Sequence, residues 1–106
     1  MQKDTLKQTP LYYASRDGLN KVCQFLIDNG LNVNNIDTYG QNPMFYAVSQ
    51  GHLEMCKILK ENGSDHDMRD EMNQTPLHYA IKQNREAVLR WLLNQGCDVC
   101  IIDKKG

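Results

Sequence analysis

Long hydrophobic runs are missing from this chain of 106 residues, and so is a surplus of charge of either sign. Its apolar clusters are short, as in Phe25-Leu26-Ile27 and Trp91-Leu92-Leu93, far below the roughly 20 residues that span a bilayer. No such run follows Met1-Gln2-Lys3-Asp4-Thr5 either, so no secretory leader is expected. Lysine and arginine number 12 against 13 aspartates and glutamates, a formal net charge of −1. That balance supplies no field to gather nucleic acid or an anionic membrane, and neither is predicted as a partner. The glycines stand singly, which excludes a phosphate-cradling loop. Cysteine is present, but four thiols without a leader predict a reducing intracellular setting, cytoplasmic or nuclear, in which they stay buried and unpaired. What remains is 41% apolar and 24% charged residues with a mean hydropathy of −0.62, the composition of a globular chain rather than a disordered one.

The scarce prolines are placed with a period. Thr9-Pro10, Asn42-Pro43 and Thr75-Pro76 lie 33 residues apart (42 − 9 and 75 − 42) and account for all three prolines. Ala14, Ala47 and Ala80 keep the same step, as do Gly30, Gly63 and Gly96, and the series Asp4, Asp37, Asp70 and Asp103. Gly18 and Gly51 hold the register, with Asn84 in the third place. So many series on one period define an internal repeat.

Each unit reads as two short helices. A Thr or Asn before Pro supplies an N-cap oxygen and a preset φ, so a helix is expected to start at Pro10, Pro43 and Pro76. It ends near Gly18, Gly51 and Asn84, residues that tolerate a left-handed C-terminus. A second helix follows, with Val22, Phe25 and Leu26, then Met55, Ile58 and Leu59, then Val88, Trp91 and Leu92 as a single buried stripe. Gly30, Gly63 and Gly96 close it, and the stretch through Asp37-Thr38-Tyr39-Gly40 or Asp70-Glu71-Met72-Asn73 reads as a tight projecting turn. One such pair cannot bury both of its faces, so stability has to come from stacking on neighbouring units.

The period and the hexapeptide Thr75-Pro76-Leu77-His78-Tyr79-Ala80 resemble the ankyrin repeat family, whose fingerprint is that length with Thr-Pro-Leu-His-x-Ala. Thr9-Pro10-Leu11-Tyr12-Tyr13-Ala14 differs at Tyr12 alone, Asn42-Pro43-Met44-Phe45-Tyr46-Ala47 diverges most, and Gly51-His52-Leu53-Glu54 resembles the start of the family's second helix. The resemblance implies an all-α fold with short β-turn or hairpin loops, an ankyrin-type solenoid of helix-turn-helix repeats at residues 4–36, 37–69 and 70–102, with 103–106 opening a further one. Because that opening stops within a turn and Trp91-Leu92-Leu93 is as apolar as an interior helix, a segment of a longer protein is expected. In the family the motif's His links the loops of adjacent repeats. Tyr12 and Phe45 replace it here, so the brace is expected only at His78. Asn34 fits the family's Asn after the second helix, whereas Asp67 and Cys100 take the matching places.

No catalytic constellation, cofactor site or metal site is predicted. Cys23 and Cys56 share a register with Leu89, which reads as core packing rather than a nucleophile. Cys97-Asp98-Val99-Cys100 has the spacing of half a zinc site but lacks a second pair, and a helical repeat denies it a thioredoxin-like setting. His52 is expected to begin a helix and face solvent, and His66 between Asp65 and Asp67 to lie in a solvated loop.

Function therefore falls to the surface. Solenoids present an extended concave face built from equivalent positions. Tyr13, Tyr46 and Tyr79 form a ladder on the first helices, either exposed in the groove or packed between helices, and the next turn adds Arg16 and Asp17, Ser49 and Gln50, and Lys82 and Gln83. The turn tips carry Leu6, Thr38-Tyr39 and Glu71-Met72, and apolar side chains on a projecting tip have no packing duty. The three ladder tyrosines, Gln50, Gln83 and the five tip residues are the candidate contacts for a protein or peptide partner, bound by a monomer. The middle repeat has a net charge of −2 from five acids against Lys57, Lys60 and Arg69, a solvated face or one that favours a basic peptide. A second class is a substrate-targeting part of a multidomain enzyme, such as a kinase, an acyltransferase or a chromatin-modifying methyltransferase. Its sharpest form is a methyl-lysine cage of the tyrosines and Trp91. The stacking itself predicts that Ala47→Leu, in the central unit, destabilises by about 1–3 kcal/mol through overpacking; an unchanged thermal midpoint contradicts stacking.

Overall fold

The computed structural model describes residues 9–96. Six helices follow one another in three pairs: α1 (Pro10–Asp17) with α2 (Asn20–Asp28), α3 (Pro43–Ser49) with α4 (Leu53–Glu61), and α5 (Pro76–Lys82) with α6 (Glu86–Asn94). Each first helix opens at its proline, as the preset φ dictates. The N-cap side chains do not all serve their own helix, however. Asn42 instead sends its amide to Asn34 Oδ1 at 3.2 Å and to the Asp65 carbonyl at 3.1 Å, tying the loops behind two helix pairs. At Thr75 the third helical residue helps, since His78 Nδ1 accepts the Thr75 amide at 2.9 Å. Accepting there leaves Nδ1 unprotonated, and burial, with the Arg69 charge, holds this imidazole below its usual value.

The pairs stack in two layers. α1 packs on α3 and α3 on α5, while α2 packs on α4 and α4 on α6. The core runs continuously along the stack, from Leu11 and Cys23 through Met44, Ala47, Met55 and Leu59 to Leu77, Ala80, Val88 and Leu92. Cys23 and Cys56 are wholly inside it, and burial raises their thiols to about 11 and about 12. Thiols so placed are neither thiolate nor accessible, as expected of packing residues. Cys97 and Cys100 lie outside the described residues.

The buried stripe of the second helices is corrected at its beginning. Met55 and Val88 are fully enclosed, but Val22 in the same register is 46% exposed and Phe25 is 65% exposed. The reason is positional. α4 and α6 each have a preceding outer helix against them, whereas among the described residues α2 packs only on α1 and α4. Complete burial of such side chains is worth roughly 1.5–3 kcal/mol each, which Met55 and Val88 collect and Val22 does not.

Between pairs, side chains seize backbone carbonyls. His52 Nε2–H donates to the Arg16 carbonyl at 2.9 Å, and Arg85 Nε donates to the Ser49 carbonyl at 2.9 Å, one period further along. His52 thus stands at the start of α4 and partly open to solvent, as expected, and braces the first pair as well. Leu19 holds the same register in the first unit and is exposed. Gly51 makes room for this contact: its φ is +75°, and a Cβ there would meet Arg85 Cδ at 2.9 Å. Gly51→Ala should therefore cost about 1–2 kcal/mol from the left-handed backbone alone, read as a lower denaturant midpoint. Asn84, with φ of 58° in the same register, should accept Asn84→Gly with little change. A Gly51→Ala protein as stable as the parent would refute the brace geometry.

Candidate functional site

The projecting turns are built on two buried aspartates. Asp37 Oδ1 accepts the amides of Tyr39 at 2.9 Å and Gln41 at 3.0 Å. Asp70 Oδ1 accepts those of Met72 and Gln74, both at 2.9 Å. The second carboxylate oxygen reaches the following first helix, where Tyr46 OH donates to Asp37 Oδ2 and Tyr79 OH donates to Asp70 Oδ2 at 2.5 Å. Gln41 Nε2 adds a bond to Asp70 Oδ2 at 2.9 Å, joining one turn to the next. The tips themselves are linked by the Glu71 amide, which donates to the Tyr39 carbonyl at 3.0 Å. Burial pulls the Asp70 carboxyl upward, but the bonds from Tyr79, Gln41 and the two amides outweigh it and hold the carboxyl below the usual carboxylate range. Burial and this charged neighbour raise the Tyr79 hydroxyl, which therefore stays protonated as a donor.

The tyrosine ladder is accordingly both packed and open. Tyr46 and Tyr79 are half-buried, their hydroxyls spent on aspartates and their ring faces turned to neighbours. Tyr12 meets Tyr46 edge-on with ring centres 5.3 Å apart, and Phe45 meets Tyr79 likewise at 5.8 Å. Each such pair is worth about 0.5–1.5 kcal/mol beyond its area. Aromatic residues at the motif's His position thus bind adjacent repeats by ring packing. The expectation of a brace only at His78 is corrected further at Tyr12, whose hydroxyl lies between the Asn35 carbonyl and the Gln41 carbonyl, 2.9 Å from the latter. A phenol is long enough to span the gap that an imidazole would. The repeat that His78 would brace lies outside the described residues.

Three candidate residues converge: Tyr46, Gln50 and Tyr79 line one cavity of about 230 Å³. Arg16 and Ser49, a turn beyond the ladder tyrosines, line it as well, whereas sequence reasoning left out its other walls, Gln41 and Phe45. Gln41 had a signal, for Gln8, Gln41 and Gln74 keep the 33-residue step. Thr38, Tyr39, Glu71 and Met72 stand exposed on the tips above, with Tyr39 at 50% and Met72 at 75%. Tyr13 and Gln83 are exposed at the two ends of the inner layer, and Leu6 lies outside the described residues. Trp91 packs from α6 against the core and lines no part of the cavity, so the tyrosines and Trp91 do not form a cage. Among the described residues no group of three or more His, Cys, Asp or Glu is arranged to hold a metal ion, and no helix is long and apolar enough to cross a membrane.

Paired helices stacked on one period, with projecting turns and an inner groove, define a helical-repeat solenoid. The family model described as ankyrin repeats (3 copies) matches residues 1–70 and again 40–103, and the chain belongs to the ankyrin repeat family. A comparison with curated proteins found no match. Ankyrin repeats are generally protein–protein interaction modules and are typically non-catalytic.

The Asp–Tyr lock carries a pH signature. A carboxyl held low in the folded state contributes stability that is present above the ordinary carboxylate range and lost as pH falls through the folded value. Tyr79→Phe should cost about 1–2 kcal/mol at neutral pH and shrink the loss of midpoint on acidification to about pH 3. Equal midpoints and equal acid slopes for parent and variant would remove the lock from the account.

Proposed function

We propose that the domain binds an extended segment of a partner protein along the groove of the inner helices, with the turn tips gripping it from one side. The observation that carries this reading is the pair Tyr39 and Met72. Two large apolar side chains are held exposed, one period apart, on turns that carboxylate–amide bonds and an inter-turn backbone bond make rigid. Leaving them in water forgoes burial energy and serves no internal packing. Rigid presentation also lowers the entropy lost on association. The cavity below the tips adds Tyr46, Gln50 and Tyr79 as a floor, and Tyr13 and Gln83 extend the surface beyond it. Tyrosine and methionine are types enriched at interfaces.

Peptides selected from a random linear library against the domain test the reading directly. Replacing both tips (Tyr39→Ala with Met72→Ala) should weaken a selected peptide by about 10- to 100-fold, with the thermal midpoint unchanged because both side chains are exposed. Selected peptides that bind the double variant and the parent equally would overturn it.

A further inference from the structure

We infer that the segment this groove accepts is acidic: an extended chain with one carboxylate towards each end of the groove and an uncharged side chain seated in the cavity between them. The inference rests on the groove reading above. Arg16 and Lys82 occupy the same register in the first and third units, with Ser49 between them. Each cation lies over the tyrosine one helical turn before it, the Arg16 guanidinium 5.1 Å from the Tyr13 ring centre and Lys82 Nζ 5.4 Å from that of Tyr79. Arg16 lines the cavity and Lys82 lies over Tyr79, which lines it as well, while Ser49 and Gln50 add uncharged side chains between them. Stacked helices lie roughly 8–10 Å apart, which separates the cations by about 16–20 Å, the reach of about five or six extended residues. The cavity, at about 230 Å³, falls below the roughly 300 Å³ at which small-molecule pockets begin. It suits one side chain.

Arg16 and Lys82 are the solvent-facing cations of the groove. Lys82 makes no ion pair among the described residues. Arg16 holds Asp17 through two bonds, Nε to Oδ1 at 3.0 Å and Nη2 to Oδ2 at 3.2 Å; both side chains are about half exposed, so water screens the pair, and a competing carboxylate has to displace Asp17 or share the guanidinium with it. Asp37 and Asp70 keep their charges but are buried beneath the turns, their oxygens taken by amides and Tyr46 at Asp37 and by amides, Gln41 and Tyr79 at Asp70, so neither is open to contact from the groove. Glu71 lies against Gly40 of the neighbouring turn. Of the five acids of the middle repeat, all but the buried Asp37 lie elsewhere, Glu54 and Glu61 on the outer helix α4 and Asp65 and Asp67 in the loop behind it. A basic peptide drawn to those acids would miss the groove.

The test uses peptides selected from the random linear library, synthesised with a fluorophore and titrated by polarisation. The expected result is enrichment of peptides with net negative charge. Lys82→Gln and Arg16→Gln should each weaken them by about 3- to 5-fold at about 50 mM salt, and the effect should vanish at about 500 mM, where the screening length falls to a few ångströms. Lys57→Gln on α4 is the charge-matched control and should leave binding unchanged. Peptides that lose affinity in the Tyr39→Ala/Met72→Ala protein yet are neutral or basic, or ignore Lys82→Gln and Arg16→Gln, overturn the acidic inference and leave the groove reading intact. Peptides indifferent to the tip substitutions overturn both.

Discussion

A pair of helices seven to nine residues long has two apolar faces and covers only one of them by folding on itself. Every other feature of this molecule depends on how the second face is covered. Ala14, Ala47 and Ala80 let the inner helices approach, Met55 and Val88 are enclosed only because a preceding outer helix lies against them, and Val22 shows what happens without one. Stability in such a stack is a sum over neighbours and not the property of a single centre. The same stacking sets the distance and angle between successive turns, and so creates the groove.

The contacts that hold the units together also shape the surface. Asp37 and Asp70 order their turns with one carboxylate oxygen and hold Tyr46 or Tyr79 with the other. A single side chain therefore fixes both the tip that projects and the ring beneath it. Gln41 carries that order from one turn to the next. Tips braced in this way can present Tyr39 and Met72 to a partner without disorder to overcome, which is why exposure of these two residues weighs more than exposure of Leu19 or Phe25 at the open side of α2.

Most of the fold was legible in the sequence because its signals are local and repeated. Thr-Pro and Asn-Pro mark helix starts through the fixed φ of proline, and the left-handed positions fall to Gly18, Gly51 and Asn84 for want of a Cβ or by tolerance of that backbone. Cys23 and Cys56 read correctly as core because Leu89 shares their register. The groove was legible only in part. Tyr46, Gln50 and Tyr79, with Arg16 and Ser49 beside them, came from periodicity, but Gln41 and Phe45 join them through the way successive units rest on one another, which no single unit encodes. His52 was legible as a residue at a helix start but not as a brace, because its partner, the Arg16 carbonyl, is 36 residues away in the chain.

The sequence by itself determined the period, the helix pairs, the turn positions and the family, since each depends on residues within one unit or on their recurrence. Only the tertiary structure decided which aromatic rings pack between units, that Tyr46 and Tyr79 spend their hydroxyls on aspartates, and that Arg16 and Tyr79 line one cavity. Those outcomes depend on where one unit comes to rest against the next, a geometry set by the summed packing of many side chains rather than by any residue's own preference.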